Sequence, residues 1–139
     1  MAANTAPIFP LIPNIGNQSE ITAANTTKDL TSGTIYLVFT ADAVDGSRLE
    51  KLRVRPKGTN VASVLRVFLN NGSTTATAAN NMLYDELSLP ATTNTEVASI
   101  AGLEVPMNMS LPPGWRVYVT LGTAVAGGYA VTGVGGDYS

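Results

Sequence analysis

Leu103-Glu104-Val105-Pro106-Met107-Asn108-Met109-Ser110-Leu111-Pro112-Pro113-Gly114-Trp115-Arg116-Val117-Tyr118-Val119-Thr120-Leu121 is the stretch that decides the fold class. Leu103, Val105, Met107 and Met109 alternate with Glu104, Pro106 and Asn108, a period of two that puts one face of a strand against a core. Pro106 has no N–H to give a ladder, which predicts an edge strand or a proline at a free position. Leu111-Pro112-Pro113-Gly114 is a turn. After it Trp115, Val117, Val119 and Leu121 alternate with Arg116, Tyr118 and Thr120. The reading is strand, turn, strand.

The same pattern continues outward from this pair. Ile35, Leu37 and Phe39 alternate with Tyr36, Val38 and Thr40, and an Asp45-Gly46 turn follows. Leu52 and Val54 alternate with Arg53 and Arg55; Leu49 is out of phase with them, which predicts a bulge or a strand start between. Leu65, Val67 and Leu69 alternate with Val64, Arg66 and Phe68, and Asn70-Asn71-Gly72-Ser73 turns the chain. Residues 83–89 read as a strand closed by Pro90, residues 96–100 as a weaker one, and residues 129–134 as the last, ahead of a glycine-rich end. Residues 75–82 carry enough alanine to suggest a helix, but threonine and asparagine weaken it. About seven or eight short strands with regular turn signals predict an all-β fold: an antiparallel β-sandwich of jelly-roll type over residues 33–139. Residues 1–32 differ. Pro7, Pro10, Pro13 and Gly16 argue against regular structure, yet Ile8, Phe9, Leu11, Ile12 and Ile15 are too apolar for a solvated tail. That combination predicts an extended N-terminal arm lying on the domain's own sheet or on a neighbouring subunit.

Composition narrows the chemistry. The 139 residues include no cysteine and no histidine, which removes most hydrolase triads, zinc sites and redox chemistry. A formal charge of −2 lacks the basic excess of a nucleic-acid binder. Only 13% of residues are charged, which suits a protein packed against neighbours better than a free monomer. No segment is apolar for long enough to span a bilayer, and the start of the chain lacks the basic region of a secretion signal. The expectation is a protein made in a cytoplasm that stays there or leaves inside an assembled particle.

Candidate sites are few. Residues 48–66 hold six of the eight basic residues and one acid, Glu50. If Arg53, Arg55 and Arg66 shared a face of paired strands they would form a positive contact stripe; the alternative is a solvated face with cross-strand charge pairs. Asp42 and Asp45 fall short of a calcium loop, and an Asp-Gly turn explains Asp45. Asp85 and Glu86 are adjacent and point to opposite faces of a strand, so they cannot form the facing pair of a glycosidase. The glycines at 127–128 and 133–136 lack the strand-loop-helix context of a phosphate loop. Trp115 is on the core phase and Tyr118 on the opposite, exposed phase, a thin basis for a sugar platform with Tyr129.

Four stretches carry a resemblance: Ala6-Pro7-Ile8-Phe9-Pro10-Leu11-Ile12-Pro13, residues 58–72 from Gly58-Thr59-Asn60 to Asn70-Asn71-Gly72, Leu89-Pro90-Ala91-Thr92-Thr93, and the run from Leu111-Pro112-Pro113-Gly114-Trp115 through Ala130-Val131-Thr132. Together they resemble small virion proteins of tailed bacteriophages, and among these are similar to head decoration (cement) proteins. The resemblance implies a non-enzymatic partner of the major capsid protein, assembled as a homo-oligomer such as a trimer on the capsid exterior and bracing neighbouring capsomers. It brings no catalytic residue, cofactor or metal. The strand–Leu-Pro-x-Gly–strand unit also occurs in phage tail and fibre β-domains, so a module binding a receptor or glycan stands as the alternative. The expected contacts are Ile8, Phe9, Leu11 and Ile12 as arm anchors and Arg53, Arg55 and Arg66 as the charged stripe, with no nucleic acid and no membrane involved.

Overall fold

The structure is a computed structural model and describes residues 9–139. Its strands are β1 (Ile12–Ile21), β2 (Tyr36–Thr40), β3 (Ser47–Pro56), β4 (Ser63–Asn70), β5 (Asn81–Leu89), β6 (Leu103–Leu111), β7 (Arg116–Leu121) and β8 (Tyr129–Asp137), with a single 3₁₀ turn at Ala78–Asn80. They form two antiparallel sheets of four, ordered β1-β8-β3-β6 and β2-β7-β4-β5. The chain is an all-β sandwich, as its alternation predicts. The pairs are nested in sequence: β4 with β5, then β3 with β6, β2 with β7, and β1 with β8. Of the connections between successive strands, only β4–β5 stays within one sheet.

The inward phase of each strand supplies the core. Leu49, Leu52 and Val54 from β3, Leu65, Val67 and Leu69 from β4, and Val117, Val119 and Leu121 from β7 are buried together with Val105, Met107 and Val131. Each such side chain stabilises the fold by about 1.5–3 kcal/mol relative to exposure. Leu49 and Leu52 both reach this core because the β3 register shifts between Leu49 and Lys51, the bulge their spacing predicts. Pro106 lies on β6, an edge strand, where a missing donor is tolerated.

Three expectations give way. Residues 96–100 are not a strand; they belong to the β5–β6 connection, where Val97 is exposed and offers no apolar phase to a sheet. Gly135 and Gly136 are not a glycine-rich end beyond the last strand but part of β8. A side chain on Gly135 would overlap the Arg48 carbonyl, so glycine there permits the bulged β3 to approach. The third concerns the arm. From Ile12 onward the expected arm is an integral edge strand, paired with β8 from Ile12–Asp137 to Ile21–Tyr129. Proline is accepted at position 13 because β1 is an edge.

Residues 22–35 complete the departure from an arm-plus-domain division at residue 32. They fold back over the outer face of the second sheet. Buried Asn25 organises them: its Nδ2 donates to the carbonyls of Ser32 (2.8 Å) and Thr34 (3.0 Å), and its Oδ1 accepts from the Thr27 N–H at 3.0 Å. The Asn25 N–H itself donates to the Leu121 carbonyl at 2.7 Å. Leu30, held at φ 64°, is thereby pressed onto Phe68 and Tyr118, with Ile35 alongside. Tyr118 is therefore buried, although its phase is outward: the chain supplies its own cover for that face.

Candidate functional site

The most exposed cluster of large apolar side chains lies at the start of β1. Phe9 is 64% exposed, Leu11 70%, Ile12 52% and Ile15 66%. Local structure holds them outward. The Leu11 N–H donates to the Asp137 carbonyl at 2.7 Å. Asn14 turns inward, its Nδ2 donating to the Thr40 carbonyl (2.9 Å) and to Asp137 Oδ1 (2.7 Å). At Gly16 the strand presses so closely on β2 that any Cβ would overlap the Val38 carbonyl oxygen. Clamped on that side, β1 turns Leu11 and Ile15 away from β2, while Ile12 is exposed at the strand's start on the opposite phase. Three of the four expected arm anchors, Phe9, Leu11 and Ile12, thus share this edge, with Ile15 joining them; Ile8 lies outside the described residues.

The arginine stripe does not form. Arg53 and Arg55 are on β3 and Arg66 on β4, in different sheets, so they sit on opposite outer faces of the sandwich. Sequence separation gave no indication that the 57–62 connection crosses from one sheet to the other. What forms instead is cross-strand pairing. Glu104 lies opposite Arg53 and meets Arg53 Nη1 at 2.8 Å and Lys51 Nζ at 3.3 Å. The hydrogen bond and charge of Lys51, then those of Arg53, hold the Glu104 carboxyl below its ordinary range. Arg55 donates to the Ile100 carbonyl. On the other face Arg66 Nε meets Glu86 Oε1 at 3.0 Å, and the Nη1 and Nη2 of its largely buried side chain lie against Gly122.

Some of the groups weighed for chemistry are engaged in turns or buried. Asp42 Oδ2 accepts from the Val44 and Asp45 N–H groups, each at 2.9 Å, and from Ser139. Those two backbone donors lower its pKa. Asp85 accepts from the Glu86 N–H at 2.8 Å. Trp115 packs against the core, as its phase predicts. Tyr129 is fully buried, its hydroxyl lacks a partner, and burial pushes its pKa up. A cavity of about 370 Å³ lies beside it, lined by Pro56, Thr92, Ser99, Ile100 and Leu103 among others. Its lining carries no carboxylate and no amine, so it suits an uncharged guest rather than acid–base chemistry. The sequence gave no sign of this cavity, because an unpatterned loop forms most of its wall.

No family model matches the chain. No curated protein matches it either. Among solved structures, it is similar to the dimeric latent PorU of Porphyromonas gingivalis at a TM-score of 0.38 and 14% identity, over 98% of this chain and 14% of that one. A likeness that slight supports no inference about fold or role, and the chain spans only a small part of that protein. The functional reading therefore rests on the chain's own surfaces. Of these, the β1 edge departs furthest from an ordinary solvated surface: four large apolar side chains close in sequence are exposed there and are not covered by any described part of the chain.

Proposed function

We propose that this chain is a capsid decoration protein of a tailed bacteriophage, a homo-oligomer, trimeric in the simplest case, that binds the outside of the head shell and braces neighbouring subunits of the major capsid protein. The observation that carries this reading is the outward apolar edge of Phe9, Leu11, Ile12 and Ile15. Contiguous exposed apolar surface of this kind marks an interaction site. Sparse charge limits repulsion between closely spaced copies, and Arg53 and Arg55 on β3 add charge to the outer face of the sheet that contains β1. Binding of this kind sums modest contacts over several subunits and needs no turnover, cofactor or metal. We read the nested strand pairing as the winding of a jelly roll, an architecture that recurs in viral capsid and lectin domains. That is support by fold analogy only.

The same analogy, with the uncharged cavity beside Tyr129, favours a second reading: a tail or fibre module that binds a receptor or glycan. One experiment separates the two. Purified protein is mixed with undecorated capsids and sedimented, and the particles are then heated. Decoration predicts stoichiometric co-sedimentation and particles that survive higher temperature. Converting Leu11 and Ile15 to serine forfeits about 1–2 kcal/mol of burial at each, which weakens binding roughly 30- to 1,000-fold. Protein that stays in the supernatant and binds a glycan array instead overturns decoration in favour of the second reading.

A further inference from the structure

We infer that the cavity beside Tyr129 is a binding site for a small, uncharged, mainly apolar molecule whose one hydrogen-bond acceptor pairs with the Tyr129 hydroxyl. This goes beyond both readings above, because the guest is a small molecule held by the fold itself, wherever on a particle the chain sits. The cavity has a built floor and roof. Tyr129 and Pro56 form the floor, paired where β8 begins and β3 ends, with Leu103 at the start of β6 also in the lining. The roof is the connection of residues 90–102, which crosses from β5 in one sheet to β6 in the other. One end of it is fixed by Thr92, which exchanges backbone hydrogen bonds with Asn60 (2.9 and 3.1 Å) and donates its Oγ1 to the Gly58 carbonyl at 2.8 Å. The other end is held by Arg55 on the Ile100 carbonyl. Walls tied in this way are preformed, as ligand sites usually are.

Size, lining and one polar group set the chemistry of the guest. At about 370 Å³ the space is more than twice the roughly 150 Å³ that takes up benzene in an engineered protein cavity, so it suits one or two fused rings. The lining is mostly aliphatic and holds no charged side chain, so a charged guest would lose its hydration without gaining a partner. The roof has a large side chain that could fill this space, Val97, yet Val97 is turned out and 93% exposed, and the smaller Ala98 and Ser99 line the cavity instead. The polar group is the Tyr129 hydroxyl, which is buried and has no hydrogen-bond partner among the described residues. Asn60 beside it is already committed, its Nδ2 to the Gly58 and Gly128 carbonyls (3.2 Å each) and its Oδ1 to the Gly128 N–H (2.8 Å). A buried donor left unpaired is unfavourable. A guest that brings a carbonyl to this wall satisfies it, whereas a hydrocarbon does not, and a sugar would bury most of its hydroxyls against aliphatic walls.

The test follows the methyl resonances of the isotope-labelled full chain as probes of known chemistry are added: indanone, a neutral bicyclic ketone; indane, the same skeleton without an acceptor; indane carboxylate, the charged analogue; and N-acetylglucosamine, a neutral sugar. Indanone should shift the Ile100 and Leu103 methyls saturably at about millimolar concentration, leave the Ile15 methyl unmoved, and bind about tenfold more tightly than indane. The carboxylate and the sugar should leave all of these methyls in place. In Tyr129→Phe, which keeps the ring and removes only the hydroxyl, indanone should fall to the affinity of indane. Indanone that does not move Ile100 and Leu103 in the parent chain overturns the inference, whether or not the Tyr129→Phe variant folds. Equal binding of indanone and indane, or tighter binding of the carboxylate, overturns it as well. Tighter binding of N-acetylglucosamine overturns it in favour of the glycan reading.

Discussion

Gly16→Ala tests whether the start of the chain is a strand or an arm. In the fold described here Gly16 faces Gly133 across the β1–β8 pair, and Val38 and Phe39 of β2 press on both. A methyl group at position 16 would occupy the space of the Val38 carbonyl oxygen, which is backbone and cannot rotate away. β1 or β2 must therefore shift. Beside its pairing with β8, the strand is held to the sandwich by buried Ile21, contributing about 1.5–3 kcal/mol, and by the two Asn14 hydrogen bonds, contributing about 0.5–1.5 kcal/mol each. Partial loss of these predicts a destabilisation of about 2–4 kcal/mol, and for a chain of this length a Tm lower by about 6–15 °C. Gly114→Ala is the control: nothing lies near its Cβ, but its φ of 75° strains any side chain. That strain lowers stability by about 1–2 kcal/mol without touching β1. Thermal melts give the magnitudes, and amide exchange gives the place. In Gly16→Ala the β1 and β8 amides should lose protection first, and in Gly114→Ala they should not. A Gly16→Ala protein with Tm within about 2 °C of the parent and β1 still protected would refute the clamp.

Two further outcomes follow from the same geometry. Leu30→Ala removes the side chain seated on Phe68 and Tyr118 and should lower stability by about 2–4 kcal/mol in chemical denaturation; Leu30→Gly should be no worse, because relief at φ 64° offsets the lost methyl. A glycine variant clearly less stable than the alanine one would mean the left-handed backbone carries no strain. The carboxyls of Asp29, Asp42 and Glu104 all have folded pKa values below their ordinary ones. Their stabilisation is complete above the unfolded values and disappears as pH falls through the lower folded ones. Tm should therefore drop on acidification below about pH 4, and Asp42→Asn, which keeps an acceptor for the turn but does not titrate, should flatten that drop; an unchanged acid limb would assign it to other groups.

The strands of the second half were legible because their two faces meet different environments. Val105 and Met107 of β6 go inward and Glu104, Pro106 and Asn108 outward, and period-two alternation records that difference directly. β1 was not legible for the same reason inverted. Both of its faces are unusual: Asn14 and Gly16 point inward because β2 is too close for larger residues, and Leu11 and Ile15, on the opposite phase, point outward with no cover among the described residues. A strand with small polar residues inside and large apolar ones outside has the wrong pattern for a solvated edge. With Pro10 and Pro13 added it reads as an arm. The arginine stripe failed for a topological reason, since no local feature tells a hairpin from a crossover when both are joined by a short glycine-containing turn.

The two apolar outer surfaces bear on the proposal that the β1 edge takes a partner. Phe68 and Tyr118 are also large and also outward in phase, on the face of the second sheet. The chain covers them, using Leu30 and Ile35 on a segment held by the hydrogen bonds of Asn25. The fold thus has the means to bury an outward apolar patch, and it takes an irregular segment and a strained leucine to do so. At Phe9, Leu11, Ile12 and Ile15 the described chain provides no comparable cover, although residues 22–35 begin directly after β1. A sequence that covers one patch at the cost of backbone strain and holds the next one open with Asn14 and Gly16 has a geometry suited to receiving that cover from another subunit.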